Sequence, residues 1–211
     1  MTNLLLTDKI YYVGLGDRLD ALGVAKHLSE QGRVKILQPR GWFRQLDELV
    51  DLFDLNCFYY HGKPVDHEEY HLHDPDGDHA FYDDRDFIRL SVDLDLELPE
   101  NFVTVQFDGT HGHNRIRNPK KIISEWRERG YEIIHVGGQA TDDRFAPKAG
   151  NLKNIAYAMS KSQGHIGVDS GMMHLAKFSM DADKICVYTV MERKTSFVHT
   201  LERKGAQVLS Y

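Results

Sequence analysis

The sequence predicts an α/β fold, on two observations. Residues 9–37 read as strand, glycine turn, helix, strand, and residues 102–189 repeat that alternation. A strand that passes to a helix and then to another strand builds a parallel sheet. The 211 residues suffice for one large domain or two small ones, and a hydrophobic content of 41% can fill their cores.

The elements are read in order. Residues 9–13 (KIYYV) have the character of a short buried strand, and Gly14, Leu15, Gly16 and Asp17 of the turn after it. Residues 19–31 are helical, with Leu19, Leu22, Gly23, Ala25, Lys26 and Leu28 spaced by roughly three and four. Gly32 stops that helix. A strand over 34–37 runs into Pro39, and a helix over 43–53 and a strand over 57–60 follow.

Residues 61–100 break the pattern. They hold 3 basic and 13 acidic side chains, a formal charge of −10, against −6 for the whole chain. Residues 61–86, rich in His and carrying Gly62, Pro64, Pro75 and Gly77, read as a long acidic loop. Residues 87–98 alternate, with Ile88, Leu90, Val92, Leu94, Leu96 and Leu98 on one side, which predicts a strand with one solvated face. Pro99 ends it.

A second α/β run starts at Phe102. It predicts strands over 103–107, 132–136, 164–168 and 185–189, and helices over 119–129, 152–160 and 171–178. Pro119 sits near the start of its helix and Gly130 just past the end. Two units are expected, 1–100 and 101–211. The second holds 16 basic and 11 acidic side chains, the mild positive balance that a phosphate-binding half can carry.

Other classes are excluded on composition. No run of about 18 apolar residues exists to span a membrane. The first residues lack the basic start and cleavage site of a secretory signal, so a cytoplasmic location is expected. Cys57 and Cys186 lie far apart among apolar neighbours and read as core thiols, not as a disulfide framework or a zinc cluster.

The richest chemistry lies in residues 168–176 (VDSGMMHLA). Asp169, Ser170 and Gly171 turn a strand into a helix. Such a start offers unpaired backbone N–H groups, the positive end of the helix dipole and a hydroxyl, which together suit a phosphate. His174, one turn in, points back to the same end and can add a donor or a positive charge. Ser170 acting only as N-cap is the plain alternative.

These residues carry a resemblance. Residues 165–178 (HIGVDSGMMHLAKF), 102–119 (FVTVQFDGTHGHNRIRNP) and 130–138 (GYEIIHVGG) are similar, in that order, to the donor-binding domain of glycosyltransferase family 9, the heptosyltransferase-like enzymes of GT-B fold. Residues 14–28 (GLGDRLDALGVAKHL) resemble more weakly that family's Gly-Asp turn and first helix. The family's chains usually run past 300 residues, so this would be a compact version. The resemblance implies two small Rossmann-like halves facing a central cleft, the first on the acceptor side and the second binding a nucleotide-diphosphate sugar as co-substrate. It implies inverting, metal-independent transfer to an acceptor hydroxyl. Asp17 matches the family's base, with Gly16 beside it and Asp20 in reserve on the acceptor side; a helix-capping role for Asp17 is the alternative. On the donor side, Ser170, Gly171 and His174 would meet the diphosphate. Asp169 would orient the loop or a sugar hydroxyl, and Thr110 would add a hydroxyl. Either Arg115 or Arg117 would supply the fixed positive charge. Gly137 and Gly138 would let a nucleoside approach the backbone.

Two acceptors remain open. One is a saccharide, such as a lipopolysaccharide core sugar. The other is a hydroxymethylated base in DNA, which compact phage-borne glycosyltransferases decorate in the host cytoplasm. That acceptor needs a basic groove, for which Arg115, Arg117, Lys120, Lys121, Arg127, Arg129, Arg193, Lys194, Arg203 and Lys204 are the candidates. A sugar-nucleotide-binding protein without transfer activity is a further alternative.

Two motifs compete. His67, Glu68 and His71 fit the zinc-hydrolase pattern H-E-x-x-H, with His73 following, but they lie in a loop and not on an amphipathic helix. Gly14 and Gly16 begin a dinucleotide fingerprint, but Leu19 stands where its third glycine belongs.

Overall fold

The computed structural model describes residues 3–6, 14–30, 34–37, 46–55, 58–59, 68–70, 88–109, 115–148, 150–190 and 194–211. The chain divides into two compact units, Met1–Ile88 and Arg89–Tyr211. Residues 89–100 therefore go with the second unit, not with the first as the sequence suggested.

The first unit has strands β1 (Asn3–Leu6), β2 (Val34–Leu37), β3 (Phe58–Tyr59) and β4 (Glu68–Tyr70), all parallel, in the order β3-β2-β1-β4. Helix α1 (Leu15–Glu30) links β1 to β2, and α2 (Leu46–Leu52) links β2 to β3. Two expectations change here, and a third falls outside the described residues. The helix begins at Leu15, so Gly16 and Asp17 lie in its first turn and not in a loop. Gly14 stands just before it, and Leu19 and Leu22 bury one side. The first strand is Asn3–Leu6, whereas residues 9–13, the expected strand, lie outside the described residues. Within the expected acidic loop, Glu68–Tyr70 pair with β1 as a strand. His67, His71 and His73, the candidate zinc residues, lie outside the described residues. Cys57 does too.

The second unit has strands β5 (Phe102–Gln106), β6 (Glu132–His135), β7 (His165–Val168), β8 (Ile185–Thr189) and β9 (Gln207–Ser210). All pair in parallel, in the order β6-β5-β7-β8-β9. Helices α3 (Lys120–Glu128), α4 (Leu152–Lys161), α5 (Gly171–Ser179) and α6 (Ser196–Arg203) make the crossovers. Right-handed crossovers put α3 on one face and α4, α5 and α6 on the other. Ile122, Ile123 and Trp126 of α3 pack on Val103, Val105, Ile166 and Cys186. The central strands β5 and β7 are buried along their whole length, as a sheet covered on both faces requires. Cys186 is a buried free thiol whose pKa burial pushes up to about 11.

Residues 88–98 keep their alternation of half-buried and exposed side chains but form no strand. Period two needs only an extended chain, and here a backbone bond and the Arg89 side chain reach a helix end. Leu90 N–H donates to the Phe178 carbonyl at 2.8 Å. Arg89 donates to the Lys177 carbonyl at 2.9 Å and to the Met180 carbonyl, and pairs with Asp181 at 2.8 Å. This segment caps the C-terminus of α5, whose last carbonyls have no helical partner. Among the described residues, no helix is long and apolar enough to cross a membrane.

His165, at the start of β7, is fully buried; Thr104 Oγ1 lies 3.0 Å from its Nδ1, and its Nε2 has no partner. Burial lowers its pKa to about 3. The native state thus holds it neutral while the unfolded chain takes up a proton below about pH 6.5. Stability from this residue is complete above that pH and is lost progressively as pH falls toward about 3. Denaturant titrations should show the stability gap between wild type and His165→Gln shrinking as pH falls through that window. Parallel pH curves for the two proteins would refute the assignment.

Candidate functional site

The strand order of the second unit reverses between β5 and β7. Chains leaving these neighbours go to opposite faces, which opens a crevice at their carboxyl ends. Gln106 closes β5 and Val168 closes β7, and both are buried. Gly167 pairs beside Gln106. A Cβ at position 167 would stand 2.5 Å from the Gln106 carbonyl oxygen, so the two strands reach this separation only with glycine there.

Ser170 caps α5 from an extended backbone. Its hydroxyl accepts from Met173 N–H at 3.4 Å and donates to Gln106 Oε1 at 2.7 Å. Gln106 Nε2 donates in turn to the Asp108 carbonyl. The α5 start is therefore tied across the crevice to β5. The Ser170 proton is committed to Gln106 in this arrangement, which leaves the first-turn amides of Gly171 and Met172, unpaired within the helix, as the donors for an anion.

Gly137 lies at the carboxyl end of β6, in a 3-10 turn over Gly137–Gln139. Its φ is +75°, and a Cβ there would meet Met172 Cγ at 3.0 Å and Gln106 Cγ at 3.3 Å. Gly138 is exposed with open space at its Cβ position. Gln139 Oε1 accepts from Phe107 N–H at 3.2 Å and fixes this turn to the end of β5.

The loop after β5 returns through an antiparallel bridge between Asp108 and Arg115. Arg115 Nε lies 3.2 Å from Asp108 Oδ1, and Ile116 between the two arginines is buried. Arg117 is exposed, with no ion pair recorded among the described residues. Thr110 lies outside the described residues.

On the other side of the α5 start, Asp169 Oδ2 accepts from Thr195 Oγ1 at 2.7 Å. His174 Nε2 is 3.8 Å from Asp169 Oδ1, so its ring turns back to the helix start. His174 is buried and stacks on Phe197, with ring centroids 3.6 Å apart and planes 9° from parallel. Ser170, Gly171, Asp169 and His174 thus meet Gln106 and Gly137 around one crevice.

In the first unit, Gly16 is buried and Asp17 lies in the opening turn of α1, whose dipole favours a carboxylate there. The Asp17 side chain lies outside what the structure describes. Asp20 is buried, at 3% exposure, and is engaged by other groups. The order of this sheet reverses between β1 and β4, and α1 begins after β1. The sequence reading missed Gln106, Gln139, Thr195 and Phe197.

No protein-family model matches the chain, and no curated protein does. Solved structures do. The fold is similar to that of the iron-containing dodecameric glycosyltransferase TibC from enterotoxigenic Escherichia coli H10407, at 14% identity and a TM-score of 0.60, over 89% of this chain and 58% of TibC. A second TibC structure, described as a heptosyltransferase in complex with ADP-D-β-D-heptose, matches at 14% identity and a TM-score of 0.60, over 90% and 57% of the two chains. A family 9 glycosyl transferase from Veillonella parvula matches at 14% identity with a TM-score of 0.47, over 92% and 66%. The present chain spans less than three-fifths of the length of TibC. The TibC likeness is one of fold.

The two glycines of the β6 turn should respond differently to a methyl group. Gly137→Ala combines positive φ with a 3.0 Å contact and should cost about 1–2 kcal/mol. Gly138→Ala enters open space and should stay within about 0.5 kcal/mol of wild type. Chemical denaturation of both measures the difference, and equal stabilities would contradict the packing described.

Proposed function

We propose that this chain is a glycosyltransferase of GT-B type that moves a sugar from a nucleotide-diphosphate sugar to an acceptor hydroxyl. The observation that carries the proposal is the amide-rich start of α5, held at the β5–β7 reversal by the Ser170–Gln106 hydrogen bond. The fold likeness to TibC, one structure of which holds ADP-D-β-D-heptose, supports the same reading.

In the proposed reaction the Gly171 and Met172 amides receive the diphosphate, and His174 and one of Arg115 or Arg117 add positive character. Arg117 is the stronger candidate, because Arg115 is paired with Asp108. The nucleoside lies along Gly138. Asp17 takes the proton of the acceptor hydroxyl as its oxygen bonds to the anomeric carbon, and the carbon–oxygen bond to the diphosphate breaks with inversion. Helix dipole and arginine neutralise the leaving charge without a metal.

The acceptor we propose is a saccharide hydroxyl. A groove for DNA needs free cations that follow phosphates. Instead Lys194 pairs with Glu202 at 2.9 Å, Arg115 with Asp108, and Arg129 lies over the Trp126 ring at 4.8 Å. Glu125 and Glu128 interrupt the basic residues of α3.

A thermal-shift panel of nucleoside diphosphates tests the donor site. One diphosphate at 100 times its Kd should raise Tm by about 5–10 °C. Asp17→Asn should then keep that shift while transfer falls about 10²–10⁴-fold. A flat panel would overturn the proposal. Binding without donor consumption on any glycan or hydroxymethylated DNA would reduce the chain to a nucleotide-binding protein.

A further inference from the structure

Helix α6 places two side chains against the α5 start. Thr195 caps α6, accepting from Val198 N–H at 3.3 Å, and passes its own proton to Asp169. Phe197, 2% exposed, stacks on His174 and also lies 5.5 Å from the Lys177 ammonium, one turn further along α5. Lys177 is itself buried, and its ammonium sits 4.3 Å from the Phe178 ring. One helix end thus fixes both a carboxylate oxygen and an imidazole plane at another helix end.

We propose that Thr195 and Phe197 are the positioning residues of the α5 site, holding the Asp169 carboxylate and the His174 ring in the geometry that receives a diphosphate. The argument rests on the donor-site reading above and extends it to α6. Asp169 has two oxygens; Thr195 takes Oδ2, which leaves Oδ1 on the His174 side. The stack keeps the imidazole from rotating about its χ2, a torsion with broad minima of its own. Neither residue touches a ligand in this assignment. Each acts through a neighbour, as the supporting groups of a preorganised site do.

The test uses the full chain, with ADP and UDP as probes and the His174 ring protons as reporter. Thr195→Val removes the donor and should weaken diphosphate binding about tenfold, and Thr195→Ser should restore it to within about threefold. Phe197→Leu should move the His174 Hδ2 and Hε1 resonances downfield by removing the stacked ring. Thr195→Val should shift them as well, and Thr195→Ser should return them. Unchanged affinity in a Thr195→Val protein that has lost only Tm would overturn the proposal, as would His174 resonances that ignore both substitutions. Wild type that binds neither ADP nor UDP would count against the donor site itself, while the ring-proton shifts would still decide the positioning role.

Discussion

The hydrogen bond from Ser170 to Gln106 organises the second unit. It joins the end of the strand on one side of the order reversal to the helix that leaves the other. Two conditions make it available. Gly167 lets β5 and β7 approach without a Cβ between them, and Gly137 gives Gln106 and Met172 room to meet. With the Ser170 hydroxyl committed, the first donors for an anion are the backbone amides of Gly171 and Met172, whose positions the helix fixes.

Around that bond the unit spends its polar groups at the carboxyl edge. Gln106, Gln139, Asp169 and Thr195 all bond to a neighbouring element there, and Asp108 pairs with Arg115 within the loop after β5. The opposite edge of β7 is different. His165 is buried and held neutral, with Thr104 Oγ1 against its Nδ1. The crevice at the order reversal opens at the carboxyl ends of the strands, where an open parallel sheet is expected to bind.

Much of the second unit was legible in its sequence, because strands buried on both faces show as apolar runs and their helices as periodic ones. Residues 102–106, 165–168 and 171–179 follow that logic closely. Residues 88–98 did not, since alternation reports an extended chain and says nothing about a ladder partner. The α1 start was misplaced because Gly14 and Gly16 suggested a turn, while burial of Leu19 and Leu22 decided for helix. Gln106 looked like one polar position in a strand, and its role appears only once β7 is known to lie beside β5. Helix α6 and strand β9 went unread, although Thr195 followed by Phe197, Val198 and Leu201 is a capped apolar periodicity. Thr195 and Phe197 become site residues through tertiary placement alone.

The most direct test is amide NMR of the isotopically labelled chain during titration with a nucleoside diphosphate. The account predicts that the Gly171 and Met172 N–H resonances shift most, with Gly138 and the Gln106 side-chain amide following. Saturable shifts that leave residues 170–173 unmoved and gather elsewhere would contradict it.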